Sequence, residues 1–137
     1  MSQYMLLVYQ EEVSAAEQAE RERLMPMFVE LHRSLREAGL LVAVQRLHSV
    51  ESATSVRVRE GETEITDGPF AVTKEILAGY YILECADLDE ALKHAARMPM
   101  APWATIEVRP VMAAEEWLNT AREAGVDVSD EDVENLA

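Results

Sequence analysis

Near its amino terminus the chain carries Gln3–Tyr9, rich in Leu, Val and Tyr and apolar at both parities. In a strand, successive side chains point to opposite faces, so this pattern asks for a sheet covered on both sides. The segments downstream set the rest of the order. "SAAEQAERERLMPMFVELHRSLREAG" opens on Ser14 with Glu17 three residues on, a capping box in which each side chain meets a free backbone N–H. Leu24, Met27, Phe28, Leu31, Leu35 and Ala38 then recur at helical spacing, and Gly39 suits a left-handed stop. Pro26 lies inside this pattern, removes a donor and clashes with the preceding turn, which predicts a kink or break near Met25.

Leu40–Leu47 reads as a strand, and "SVRVREGETEIT" as a hairpin turning at Glu60-Gly61 with one wet face. After "TDGPF" comes "AGYYILEC", a central-looking strand. Asp87 with Glu90 caps a helix over 88–97, which Pro99 and Pro102 end. "ATIEVRPVM" is a last strand, a further helix is expected over 113–124, and Ser129 is placed to cap one more turn. Strand–helix–strand, hairpin, strand–helix–strand predicts an α+β, ferredoxin-like antiparallel sheet with helices on one face. The open face would then meet a second copy. In the last strand Ile106 and Val108 point one way, and Thr105, Glu107 and Arg109 the other.

The chain has 137 residues and a formal net charge of −14. Residues 113–137 hold eight acids and one base, hence −7; the other −7 is spread over 1–112. Two units are therefore expected, a ferredoxin-like domain at 1–112 and an acidic helical extension at 113–137. Such a surface repels phosphate backbones and anionic lipid, which argues against direct nucleic-acid or membrane binding and leaves room for a basic protein partner. One cysteine, Cys85, excludes an internal disulfide and fits a reducing compartment. With no basic leader or long apolar run, a cytoplasmic protein is expected.

The chemistry-bearing residues are few. Asp67-Gly68-Pro69 is turn chemistry, with Phe70 able to plug a core edge; alternatively the loop brings Asp67, Thr73 and Lys74 to a cavity mouth. Glu107 and Arg109 share a strand face, as an ion pair or as a seat for a ligand carboxylate. Tyr80 and Tyr81 point to opposite faces; both read as core packing, or one is core and the other offers a phenol to a cavity. His48, after a strand, is the histidine nearest a cavity mouth; His32 reads as surface. Glu90 and His94 lie four apart on a helix, half of a metal set at most, and read as a surface pair; Cys85 reads as core. No metal and no cofactor is expected, since there is no phosphate loop, dinucleotide fingerprint or nucleophile elbow.

"TDGPFAVTKEILAGYYILECADLDEALKHAARMP" followed by "IEVRPVM" resembles the YCII-related proteins, in particular the subgroup named for its Asp-Gly-Pro-Phe motif. The resemblance runs over 4–112 and implies a homodimer of the dimeric α/β-barrel type. The chain departs from that pattern at Ala78, at Met98 and in "MAPWAT". Three functions remain open. One is a binding or regulatory dimer holding a small molecule. A second is a cofactor-free lyase or isomerase of a small aromatic or lactone carboxylate. It would hold the carboxylate through Arg109 or Lys74, with Glu107 beside Arg109 in the ligand site, and move protons through Asp67, His48 or Tyr81. The third is an interaction module working through the acidic extension. The first is preferred, and whether the protein is an enzyme is left open.

Overall fold

The computed structural model describes residues 1–136. Ala137, the last residue of the expected 113–137 extension, lies outside the described residues. In chain order the elements are β1 (Ser2–Glu11), α1 (Ala15–Glu22), α2 (Met25–Glu37), β2 (Leu41–Arg46), a 3-10 turn (Val50–Ser52), β3 (Thr54–Arg59) and β4 (Glu62–Asp67). After these come β5 (Glu75–Cys85), α3 (Leu88–Ala96), β6 (Ala104–Pro110), α4 (Ala114–Glu123) and α5 (Asp130–Leu136). Strands β2-β5-β1-β6 form one antiparallel sheet in that order, the ferredoxin-like arrangement. Among the described residues no helix is long and apolar enough to cross a membrane.

Local chemistry explains the boundaries. Ser14 Oγ accepts from Glu17 N at 3.2 Å and starts α1. Pro26 falls in the first turn of α2, where helix amides lack partners in any case, so the predicted break appears between Glu22 and Met25. Asp87 Oδ1 accepts from Glu90 N at 2.9 Å and starts α3. Ser129 Oγ accepts from Asp132 N at 3.1 Å before α5.

Alternate residues of β1 and β5 (Tyr4, Leu6 and Val8; Tyr81, Leu83 and Cys85) build the core with Leu35 of α2 and Ala91 and Ala95 of α3. The small alanines let α3 lie close on the sheet. On the other face Met5, Leu7, Tyr9, Tyr80 and Ile82 are only half-buried, and Thr105, Glu107 and Arg109 are exposed. Register places Leu7 between Tyr80 and Glu107, and Met5 between Ile82 and Arg109. An apolar stripe thus runs across a sheet face that stays unclosed.

Two expectations need correction. The hairpin does not have one wet face: β3 and β4 pair only with each other, every residue of β4 is exposed, and so are Val56 and Val58. The Glu60-Gly61 turn, positive in φ at both residues (52° and 79°), matches the strand twist and sends the arm outward. Phe70 does not plug a core edge. Gly68, at φ 105°, donates from its N–H to Ala53 O at 2.8 Å, while its carbonyl accepts from Ser55 Oγ at 2.8 Å. These bonds tie the loop to the arm's base and leave Phe70 85 % exposed and Val72 97 % exposed.

The β1–β5 register slips between Val8, opposite Gly79, and Tyr9, opposite Leu77, so Ala78 is an extra, bulged residue. Beside it β2 comes in unusually close: a Cβ on Gly79 would sit 2.5 Å from Gln45 O. Since the obstacle is backbone, Gly79→Ala forces the strands apart. Chemical denaturation of this variant should show a loss of about 1–3 kcal/mol.

Candidate functional site

The bulge opens onto a cavity of about 500 Å³ between the helix side of the sheet and the α1–α2 layer. Its sheet wall carries Val8, Val44, Gly79 and Tyr81; α2 gives Met25, Phe28 and His32; α1 gives Gln18, Arg21 and Glu22; the turn before β6 gives Trp103. The Pro26 break makes this room possible, because α1 is free to leave the line of α2 and bring Arg21 to the far wall.

Tyr81 follows the parity of β5 onto the helix-facing side. His32 lies one turn past Phe28 on α2, within the Phe28, Leu31, Leu35 stripe that packs on the core. Their side chains meet, with His32 Nε2 2.9 Å from Tyr81 Oη and ring centroids 5.5 Å apart in an edge-on arrangement. Burial pushes the Tyr81 phenol up to about 12, against the opposing pull of the Arg46 guanidinium. Burial, helped by the Arg36 charge, holds His32 below its usual value. At neutral pH the pair is therefore uncharged. When His32 Nε2 accepts the phenol proton, Tyr81 Oη keeps acceptor capacity toward the cavity; when Nε2 donates, the Tyr81 O–H is free to donate into it.

Opposite this pair the Arg21 guanidinium lies 5.0 Å from the centre of the Trp103 ring, a cation–π stack. Arg21 Nη1 and Trp103 Nε1 are both buried and have no hydrogen-bond acceptor among the described residues. A buried donor left in that condition costs on the order of 1–3 kcal/mol. Arg46, on the Tyr81 side, also lines the cavity with His48, and four carboxylates, Glu11, Glu12, Glu22 and Glu51, stand around it.

The residues picked from sequence divide into two groups. Tyr81 and His48 line this cavity, and His48 also borders a second one beside Phe70 and Pro69. Asp67, Lys74, Glu107 and Arg109 do not line it. Arg109 Nε lies 3.6 Å from Glu107 Oε2, on the unclosed sheet face, with the arginine side chain 71 % exposed. Lys74 Nζ is 3.1 Å from Glu11 Oε1 at the surface. Asp67 ends the exposed arm. The surface reading of His32 is corrected: it is half-buried, because helical spacing from Phe28 turns it inward despite its charged neighbours Glu30 and Arg33. That spacing was the available signal. Arg21 and Trp103 had none, since each becomes informative only through the other.

The family described as "YCII-related domain" matches residues 2–117. The chain belongs to the YCII-related domain family. It is also similar to an uncharacterized protein of Rhizobium meliloti (strain 1021), 43% identical over 112 residues, which covers 79% of this chain and 90% of that protein. The matched span of this YCII-related domain contains the whole sheet and every residue lining the cavity.

A group held below its ordinary value in the fold binds fewer protons there than in the unfolded chain. The share of stability tied to neutral His32 is thus complete above the unfolded value of 6.5, and is lost as pH falls from there through the lower, folded value. His32→Asn has no such titration. Its deficit in melting temperature against the wild type should therefore shrink between pH ~8 and pH ~5, as read by thermal denaturation of the two proteins in parallel.

Proposed function

We propose that this YCII-related protein binds a small anionic molecule, a carboxylate in its simplest form, in the cavity under α1 and α2. One observation carries the reading: Arg21 and Trp103 both line a cavity of ligand size, and among the described residues Arg21 Nη1 and Trp103 Nε1 have no acceptor. A carboxylate oxygen supplies what both lack, and a charged acceptor makes the stronger bond. The apolar wall of Phe28, Val44 and Val8 suits the body of a small aromatic or cyclic acid. This moves the expected carboxylate seat from Arg109, already paired with Glu107, to Arg21.

A panel of small aromatic and aliphatic carboxylates, screened by thermal shift, tests this. A ligand at a hundred times its dissociation constant stabilises the fold by about 2.7 kcal/mol, a shift of several degrees. The shift should be lost in Arg21→Met and kept in Arg109→Ala. A shift that depends on Arg109 instead, or no shift across the panel, overturns the assignment.

The His32–Tyr81 pair favours a second reading, a cofactor-free lyase or isomerase. A phenol and an imidazole, both neutral and facing the site that holds the acid, are suited to passing a proton at its α-carbon. With an acid found to bind, turnover should follow a bell-shaped pH profile, and His32→Asn should remove turnover while leaving the carboxylate-induced shift in place.

The finer placement is part of the same proposal: the Asp-Gly-Pro-Phe subgroup, a cytoplasmic homodimer, and a division into a 1–112 domain and an acidic 113–137 extension open to a basic partner. The half-buried stripe of Met5, Leu7, Tyr9, Tyr80 and Ile82 supports the dimer, since a second sheet would complete its burial. Sedimentation should read a dimer for the wild type and a monomer for Leu7→Asp, which puts a charge at the middle of that stripe.

A further inference from the structure

On the far side of the core from the cavity, the corner between β5 and α3 gathers three different donor groups. Cys85 ends β5 and is fully buried. Glu90 lies in the first turn of α3 and His94 one turn later on the same helix face. One atom from each, the Cys85 sulfur, a Glu90 oxygen and a His94 ring nitrogen, all fall within 4.8 Å of one another. None of the three lines the cavity described above.

Helix capping accounts for only part of this corner. Glu90 Oε2 accepts from Ala86 N at 2.7 Å and Asp87 Oδ1 accepts from Glu90 N at 2.9 Å, so the carboxylate is held from behind. That leaves Oε1 pointing away from the backbone, 3.8 Å from His94 Nε2. Capping has no need of an imidazole there, nor of a thiol on the same side. An orienting backbone bond behind a carboxylate ligand is a regular feature of metal centres. Access follows from burial: the sulfur closes the inner end, while the Glu90 and His94 side chains, 34 % and 26 % exposed, leave the outer end open to solvent.

We propose that Cys85, Glu90 and His94 bind a zinc-type divalent cation through one sulfur, one oxygen and one nitrogen, with a fourth position open to water. The mixed donor set excludes the hard, all-oxygen cations and suits tetrahedral zinc. Zinc bond lengths put neighbouring donor atoms roughly 3.4–3.6 Å apart in a tetrahedron. The Glu90–His94 pair is within a few tenths of an ångström of that spacing, and rotation of the His94 and Cys85 side chains closes the wider ones. Burial first, then the Glu90 and Asp87 charges, hold the Cys85 thiol above its ordinary value. A cation at the centre reverses that balance: the sulfur binds as thiolate and its proton leaves to solvent. The ion then ties the end of a central strand to the start of the helix that packs on it, so binding stabilises the fold.

The test uses the full chain, stripped with a chelator and titrated with Co2+ and then Zn2+. One equivalent of Co2+ should produce the near-ultraviolet thiolate charge-transfer band and the visible bands of a tetrahedral ion. Zn2+ should erase both and raise the melting temperature by several degrees. Cys85→Ser should remove the charge-transfer band. Because that change touches the core, the half-exposed His94→Gln serves as the second variant, with metal affinity expected to fall by at least about tenfold. Absence of a charge-transfer band in the wild type overturns the proposal, and so does metal affinity unchanged in His94→Gln.

Discussion

Everything else in this fold depends on a mismatch between sheet and helix. A four-stranded sheet has two faces, and β1 and β5 are apolar on both. Two helices, α2 and α3, close one side around Leu6, Leu83 and Cys85. That core holds the chain together, and its limits explain the rest. Where α3 lies on the sheet, the buried Ala91 and Ala95 let it sit low. Where α1 and α2 diverge, the layer lifts and a cavity opens over Val8, Gly79 and Tyr81. On the reverse side the stripe centred on Leu7 is only half-buried, and its hydrophobic surface is left for another surface to cover.

The cavity's chemistry has its origin in the same mismatch. A phenol and an imidazole that meet within a packed layer lose water, and each moves away from its charged form. A guanidinium laid on an indole has its charge partly met by the ring face, while its in-plane donors still seek an acceptor. One wall thus holds a neutral pair able to exchange a proton, and another holds Arg21 and Trp103, each with a donor unmet among the described residues.

Much of this architecture is legible in the residues. Ser14 with Glu17 and Asp87 with Glu90 mark helix starts, Pro26 marks the break, and Glu60-Gly61 marks the tight turn, because each acts through bonds to its own neighbours. Strand parity correctly set Glu107 and Arg109 on one face and separated Tyr80 from Tyr81. What parity could not supply was which face holds a cavity, since that depends on how far α1 swings from α2. His32 was readable from its spacing to Phe28 and Leu35, but its charged neighbours pointed the other way. The pairing of Arg21 with Trp103 and the approach of Cys85 to His94 are products of tertiary closure, invisible to any local pattern. The Asp-Gly-Pro-Phe loop, the most distinctive string in the chain, turns out to fasten the base of an arm.

The first helix has a place in the molecule unlike that of any other wall of the cavity. It carries Arg21 and Gln18 to the site, yet it buries no residue of its own. It is joined to β1 through residues 12–14 and to α2 through Arg23 and Leu24, and Arg21 stacks on Trp103. A segment with so little apolar contact opens locally at a small fraction of the free energy needed to unfold the sheet. Its amide hydrogens should exchange with solvent well before those of α2, and a molecule entering the cavity would pass through that same loosening. Occupancy of the Arg21 donors would then slow exchange in a helix that otherwise has little to hold it.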